Sequence, residues 1–119
     1  MSKRDNEVLL RDMLDHAYEV VQFTNGKTRQ LLDEDRLFMR GLCMSIGIIG
    51  EAASKMSKAG RNAHPQIPWR DIIDMRNFLI HTYYRIDNNI LWDTATQGIP
   101  PLISELEKII PSDANASAQ

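Results

Sequence analysis

Apolar residues recur at intervals of three and four along most of the chain, which is the pattern of amphipathic helices. It predicts four helical segments, at about residues 6–23, 33–60, 69–85 and 90–110. Asp5 or Ser2 is the expected N-cap of the first segment, and Gly26 suits the left-handed conformation that closes a helix. Pro100 and Pro101 interrupt the last segment, which predicts a kinked helix or two short ones. The expected fold is an all-α, up-and-down bundle of four to five helices.

The second segment is apolar over more than one stripe, which predicts burial on two sides, by neighbouring helices or by a second subunit. Asp33 is its expected N-cap. Gly41, Gly47 and Gly50 each cost up to about 1 kcal/mol relative to alanine in a helix interior. That cost is understandable if another backbone comes close there. Glu51 lies amid the same apolar surface, as a carboxylate at its rim or as the partner of a buried cation.

The 119 residues suffice for one domain with a real core. We assign residues 1–111 to it and residues 112–119, which are small and polar, to a disordered tail. No purely apolar run reaches the roughly 20 residues that span a bilayer, and the N-terminus lacks the apolar core of a signal peptide. The single Cys43 is expected to be a buried, inert thiol. These features predict a cytoplasmic protein with no membrane association.

Charge is distributed unevenly along the chain. The net charge of -2 argues against general binding to polyanions, but residues 55–85 carry six basic side chains against two acidic ones. This basic run is either a functional patch or an ordinary solvated face. No cysteine, histidine or carboxylate pair stands at metal-ligand spacing from His64, and no glycine-rich phosphate loop is present. Neither a metal nor a cofactor is expected.

Residues 70–84 concentrate the groups that can do chemistry. Arg76 falls within the apolar arc of this helix, where an unpaired charge would cost several kcal/mol. It must reach solvent, face a wet cleft or pair with an acid, and Glu51 is the candidate partner. His81 lies about 140° around the helix from Arg76, so one copy does not aim both groups the same way. A two-fold dimer would bring two of each together, and Asn77 is placed to hydrogen-bond to His81 and set its tautomer.

The pattern Arg76-Asn77-x-x-x-His81-x-Tyr83 resembles the Arg-x4-His-x-Tyr signature of HEPN-domain proteins. The flanking sequence is similar to the HepT-type toxins of HepT/MntA (type VII) toxin-antitoxin modules, and the similarity extends over about residues 6–110. The stretches that carry it, besides the motif, are residues 11–15, 23–24, 46–53, 67–73 and 99–102, together with Trp92.

This resemblance implies a metal-independent endoribonuclease that works as a homodimer, with the motifs of both subunits lining a shared cleft. Arg76 would bind the scissile phosphate, His81 would transfer protons, and Asn77 would orient the imidazole or contact the phosphate. Glu51 would support Arg76. If RNA is the substrate, the residues of the basic run expected to bind it are Lys55, Lys58, Arg61 and Arg70.

The resemblance also implies that an MntA-like nucleotidyltransferase antitoxin adds AMP to Tyr83. Tyr83 lies on the apolar arc, where a core role competes with modification, so Tyr84 is the alternative acceptor. A second interpretation is a catalytically silent HEPN module that binds a nucleotide or its nucleotidyltransferase partner. A third is purely structural, with Arg76 in an ion pair and His81 at the surface.

Overall fold

The computed structural model describes residues 3–82 and 85–111, and all the regular elements assigned within them are helices. The all-α prediction is therefore confirmed. α3 is the central helix, because it packs against α1 on one side and α5 on the other, while α7 packs against the far side of α1. In chain order the elements are α1 (Lys3–Thr24), α2 (Leu31–Glu34), α3 (Arg36–Lys55), α4 (Lys58–Asn62), α5 (Trp69–His81), α6 (Asn88–Asp93), a π-helical turn (Thr94–Gly98) and α7 (Ile99–Ile109).

The ends of α1 differ in how well the sequence predicted them. The helix begins at Lys3, so Asp5 lies in its first turn and is not the N-cap; Ser2, the other candidate, lies outside the described residues. A carboxylate in the first turn still interacts favourably with the positive end of the helix dipole. At the other end Gly26 has a φ of 74°, the left-handed conformation that the sequence predicted.

The predicted N-cap of the central helix is wrong by two residues. Asp35, not Asp33, caps α3, and its side chain accepts a hydrogen bond from the backbone N–H of Phe38. Asp33 belongs to the short α2. Its carboxylate accepts from the side chains of Asn88 and Arg29, which together hold the pKa of Asp33 below its usual value.

The predicted segment 33–60 is also interrupted near its C-terminal end, where it divides into two helices. Met56 adopts extended backbone, with a ψ of 140°, and so ends α3. Ser57 then caps α4, accepting from the N–H of Gly60. Asn6 of α1 fixes this break, because its amide nitrogen donates to the hydroxyl of Ser57 (2.9 Å) and its carbonyl oxygen accepts from the N–H of the same residue (3.2 Å).

α3 is the more apolar of the two longest helices, with charged residues mainly toward its two ends. By length and composition alone it could cross a membrane, with 20 residues and a mean hydropathy of 1.3, and it is the one such helix in the part of the chain that the structure describes. Within the fold, 44% of the 18-residue stretch of α3 that gives this mean hydropathy is buried. Cys43 lies on the buried side, and burial raises its pKa to about 11. The prediction that Cys43 is buried is therefore confirmed, and a raised pKa disfavours the reactive thiolate near neutrality.

Of the three glycines where close backbone approach was predicted, Gly50 alone shows it. A Cβ built there would lie 2.2 Å from the Cβ of Arg76, so α3 and α5 touch at this point. A Cβ on Gly41 would make an ordinary contact of 3.7 Å with Phe23, and one on Gly47 would meet nothing within 4 Å. For Gly41 and Gly47 the prediction is wrong within a single chain, because α3 turns these residues away from the backbones of its neighbours.

The last predicted segment is divided as expected. After α6 the backbone widens into the π-helical turn, in which the N–H of Ile99 bonds to the carbonyl of Thr94 five residues earlier. Pro100 and Pro101 follow in the first turn of α7, where a missing N–H costs least. The widened turn thus continues the helix up to a pair of residues that cannot donate hydrogen bonds.

Candidate active site

α5 carries the three polar residues singled out by the sequence. Pro68 stands at its N-cap position, one residue before the helix rather than in its first turn. His81 is the last helical residue. Thr82 closes the helix, since both its N–H (2.9 Å) and its hydroxyl (2.7 Å) donate to the carbonyl of Phe78. The backbone that carries His81 is therefore anchored, although the residue itself is exposed.

Arg76 reaches across to α3 and is held there. Its Nη2 lies 2.6 Å from Oε2 of Glu51, and its Nη1 donates to Oδ1 of Asn77 at 3.0 Å. The aliphatic stem crosses α3 at Gly50, where no side chain obstructs it. Of the alternatives that the sequence left open for Arg76, the structure shows the ion pair with Glu51. The guanidinium is thus fixed on two sides while its side chain remains 30% exposed.

One nitrogen of the guanidinium lacks a partner. Nε of Arg76 is buried and makes no hydrogen bond to any residue that the structure describes. A buried donor left unpaired costs about 1–3 kcal/mol. The site therefore carries a polar group that no atom of the described ranges satisfies.

Asn77 does not make the hydrogen bond expected of it. Its oxygen accepts from Arg76, and the exposed imidazole of His81 makes no hydrogen bond within residues 3–82 and 85–111. The oxygen of Asn77 is thus used by a charged donor, which forms a stronger hydrogen bond than a neutral one, while its amide N–H groups make no hydrogen bond to His81. A single copy of the chain thus holds Arg76 against α3 and leaves His81 in solvent, without bringing the two together. Tyr83 and Tyr84 lie outside the described residues.

The four basic residues expected to contact RNA separate into two groups. Lys55 lies 3.7 Å from Oε1 of Glu51, so this carboxylate interacts with two cations. Lys58, Arg61 and Arg70 instead border a surface depression of about 620 Å³, which we call the Trp69 concavity. Its border includes Lys58, Arg61, Trp69, Arg70, Ile73 and Asp74.

Trp69 is the residue of this region that the sequence pattern did not single out for function. Its indole N–H donates to the backbone carbonyls of Arg61 (3.1 Å) and His64 (3.0 Å), which ties the loop after α4 to the start of α5. The sequence signal for a functional role of Trp69 was an aromatic residue within the basic run, between Arg61 and Arg70. A larger concavity, of about 920 Å³, lies among α1, α4 and the end of α7 and is lined by none of the three candidate catalytic residues.

The chain matches the family model described as ribonuclease HepT-like over residues 10–109. It belongs to the HepT-like ribonuclease family. The resemblance to HEPN proteins seen in the sequence is thereby confirmed, and the matched region includes Arg76, Asn77, His81 and Glu51.

Relatives of this HepT-like chain carry ribonuclease names. A protein of Methanocaldococcus jannaschii named as a candidate RNase is 33% identical over 110 residues, which is 92% of this chain and 91% of that protein. The protein named probable ribonuclease HepT in Thermococcus cleftensis is 33% identical over 83% of this chain and 94% of its own length. A candidate RNase of Caldanaerobacter subterraneus is 31% identical over 84% of this chain and 93% of its own. No solved structure gives a significant match.

The Glu51–Arg76 ion pair makes a prediction about stability. In a double-mutant cycle with Glu51→Gln and Arg76→Gln, we expect a coupling free energy of about 1 kcal/mol, at the upper end for partly exposed pairs, because the guanidinium is also packed at Gly50. Urea unfolding at fixed protein concentration measures it. The matched control is the Glu105–Lys108 pair on α7, for which about 0.3 kcal/mol is expected. A coupling no larger than that of the control pair would show that Glu51 does not hold Arg76.

Proposed function

We propose that this protein is an endoribonuclease that cleaves RNA without a metal ion, using Arg76 and His81 in a cleft between two subunits. The observation that carries the proposal is the position of the Arg76 guanidinium, held by Glu51 and Asn77 in a chain of the HepT-like ribonuclease family. Each terminal nitrogen of a guanidinium bears two hydrogens. After bonding to Glu51 and Asn77, each therefore keeps one N–H for the oxygens of a phosphodiester.

The proposed reaction is attack by the ribose 2′-oxygen on the adjacent phosphorus. The 2′-hydroxyl gives its proton to a base, the bond from phosphorus to the 5′-oxygen breaks, and an acid protonates that oxygen. The products are a 2′,3′-cyclic phosphate and a free 5′-hydroxyl. Histidine suits both proton transfers because its ordinary pKa of about 6.5 lies near neutrality. Arg76 stabilises the charge on the pentacoordinate phosphorus, and the free amide N–H groups of Asn77 can donate to the same phosphate.

A homodimer is part of the proposal because one chain leaves Arg76 and His81 apart. Leu37 and Met44, seven residues apart on one face of α3, are 81% and 66% exposed, and Ile80 of neighbouring α5 is 55% exposed. Large apolar side chains exposed on one face of a helix, as Leu37 and Met44 are, support an interface there. Gly47 adds support, since no atom of residues 3–82 and 85–111 lies within 4 Å of a Cβ built there, which leaves room for the backbone of a second copy.

The proposal extends to control of the enzyme as the toxin of a toxin-antitoxin module in the cytoplasm. A cognate MntA-like nucleotidyltransferase would transfer AMP from ATP to Tyr83, or to Tyr84. The phenol oxygen attacks the α-phosphorus of ATP, pyrophosphate leaves, and the phenol proton passes to solvent. The adduct introduces a phosphate two or three residues after His81, and this negative charge would compete with RNA for Arg76.

The test compares RNA with DNA. Purified protein should cleave an unstructured oligoribonucleotide in the presence of a chelator and leave ends that carry a 2′,3′-cyclic phosphate. The DNA of the same sequence should remain intact, as should RNA carrying a single 2′-deoxynucleotide at the cleaved position, because both lack the attacking hydroxyl. Cleavage of DNA, or 3′-hydroxyl products, would overturn the mechanism.

Control by the partner is tested in cells. Expression of the wild-type chain should arrest growth and degrade RNA, and co-expression of a cognate nucleotidyltransferase should restore growth while adding the mass of one AMP to the peptide that contains Tyr83 and Tyr84. Tight binding of that partner by a chain that cleaves no RNA would favour the silent binding module instead.

A further inference from the structure

The Trp69 concavity is bordered in part by α5, the helix that carries the candidate catalytic residues. Arg70, on its border, and Asn77 are seven residues apart on α5, so they share one face at a separation of two turns, about 10 Å. His81 lies one further turn along that face. A polynucleotide strand bound near Asn77 and His81 can therefore run along α5 and reach the concavity.

The charges of the concavity suit a polyanion. Lys58, Arg61 and Arg70 all border it, against the single carboxylate of Asp74. None of the three cations is in an ion pair with any residue of the described ranges. Lys55, nearer the active site, differs because it interacts with Glu51. The concavity thus presents three cations that remain free to bind phosphates.

Trp69 supplies an aromatic surface in a fixed position. Its indole N–H is used by the carbonyls of Arg61 and His64, so the ring is anchored and has no donor left to distinguish one base from another. Trp69 is partly buried against the core, and it lines the concavity together with the apolar Ile73. An anchored ring flanked by cations is the arrangement that binds unpaired bases by stacking, with little sequence preference.

We propose that the Trp69 concavity is a subsite for an unpaired nucleotide flanking the scissile bond. The base lies against Trp69, and Lys58, Arg61 and Arg70 bind the adjacent phosphates. The inference rests on the proposed function, since it takes RNA to be the substrate. It narrows the substrate class to single strands, loops and ends, because the bases of a duplex are stacked and paired and cannot reach a ring on the protein surface.

The test uses the fluorescence of Trp69. The chain has two tryptophans, so Trp92→Phe leaves Trp69 as the only one, and His81→Ala in the same chain prevents cleavage during titration. An unstructured oligoribonucleotide should change the emission in a saturable way. A perfect duplex of the same length should bind at least about 10-fold more weakly, because it lacks the stacked base. Equal responses to the single strand and the duplex would overturn the subsite.

Charge variants of the same chain test the phosphate contacts. The affinity for RNA falls as salt rises, and the double variant Arg61→Ala with Arg70→Ala should weaken this dependence. The slope of log affinity against log salt should become less negative by about 1.4, or about 0.7 for each lost contact. Lys27→Ala, in the turn after α1 and outside the concavity, is the matched control and should leave the slope unchanged. A double variant that behaves like the control would overturn the proposal. So would variants that bind RNA normally but lose the nucleotidyltransferase, because the concavity would then be a protein-docking surface.

Failure of the subsite and failure of the proposed function give different results. If the wild-type chain cleaves RNA but Trp69 does not respond and the double variant binds normally, the subsite is wrong and the nuclease stands. If Trp69 responds and the salt dependence weakens while no RNA is cleaved, the concavity binds an unpaired nucleotide but flanks no scissile bond, and the nuclease is wrong.

Discussion

Replacing His81 with alanine should slow RNA cleavage about 100- to 10,000-fold, the usual contribution of a residue that transfers protons. The free energy of unfolding should change by no more than about 0.5 kcal/mol, because the side chain is exposed. His16→Ala, which removes a histidine from α1, is the matched control and should keep its rate. Initial rates and urea unfolding curves of the three proteins make the comparison. A His81→Ala protein that cleaves RNA normally would remove the imidazole from the mechanism.

Arg76 needs a variant that keeps its charge. Arg76→Ala should also abolish cleavage, but it leaves the carboxylate of Glu51 without its guanidinium, so part of its effect would be structural. Arg76→Lys retains a cation while losing the planar fork, and at least about a 10-fold loss of rate is expected because an ammonium cannot donate to two phosphate oxygens in the same way. Circular dichroism checks that the helices remain.

Mixing the two inactive proteins tests the shared cleft. If Arg76 and His81 of different subunits meet at one phosphate, a mixed dimer of Arg76→Ala and His81→Ala chains contains one cleft with an intact arginine and an intact histidine. About half of the dimers in an equal mixture are of this kind after exchange. We therefore expect activity to return on mixing. A mixture as inactive as its components would mean that each chain works alone or that the residues do not cooperate.

Gly50→Ala should be the most destabilising single-methyl change in α3. The new Cβ would lie 2.2 Å from Cβ and 2.9 Å from Cγ of Arg76, and 3.2 Å from the backbone oxygen of Ile72. Since a backbone atom is among these neighbours, α3 and α5 must move apart, which costs about 2–4 kcal/mol and lowers the Tm by roughly 10 °C. Thermal unfolding at fixed protein concentration measures the change. RNA cleavage should also fall, because Arg76 moves with α5.

Gly47→Ala is the control for this change, three residues earlier in the same helix. A Cβ there meets nothing within 4 Å, and alanine is favoured over glycine in a helix interior by up to about 1 kcal/mol. The isolated chain should therefore be as stable as wild type or more so. If Gly50→Ala and Gly47→Ala have equal effects, the close contact of α3 with α5 is not what requires glycine at position 50.

The helices and the candidate partner of Arg76 could be inferred from the sequence, because they depend on the local apolar pattern and on a charge that needs a partner. The apolar spacing indicated helices because burial of one apolar face supplies most of the stability of a helix in a folded protein. The partner of Arg76 was predictable because a lone cation in an apolar arc requires an acid, and Glu51 was the candidate carboxylate on the opposing apolar helix. Helix ends were less predictable. Asp33 and Asp35 are equally good caps by residue type, and the contacts of Asp33 with Asn88 and Arg29 form only in the folded chain.

Other features of the site depend on which neighbours the fold brings within reach. Asn77 lies one turn from His81, yet it bonds to Arg76, whose side chain turns toward Asn77 once Glu51 holds it. The anchoring of Trp69 by the carbonyls of Arg61, in α4, and His64, in the loop that follows, depends on how that loop folds back. Periodicity carries no information about either contact, because both are set by side-chain direction rather than by spacing.

The contact of Glu51 with Arg76 has a consequence for how the proposed enzyme would divide its affinity between ground state and transition state. A phosphodiester that approaches the guanidinium competes with a carboxylate of the same single charge, so exchanging one for the other yields little net attraction. The phosphorane formed during attack bears more negative charge than either, and the guanidinium favours it over the carboxylate. Resting RNA would thus be held weakly and the reacting phosphate strongly, which raises the turnover rate rather than the occupancy of the enzyme.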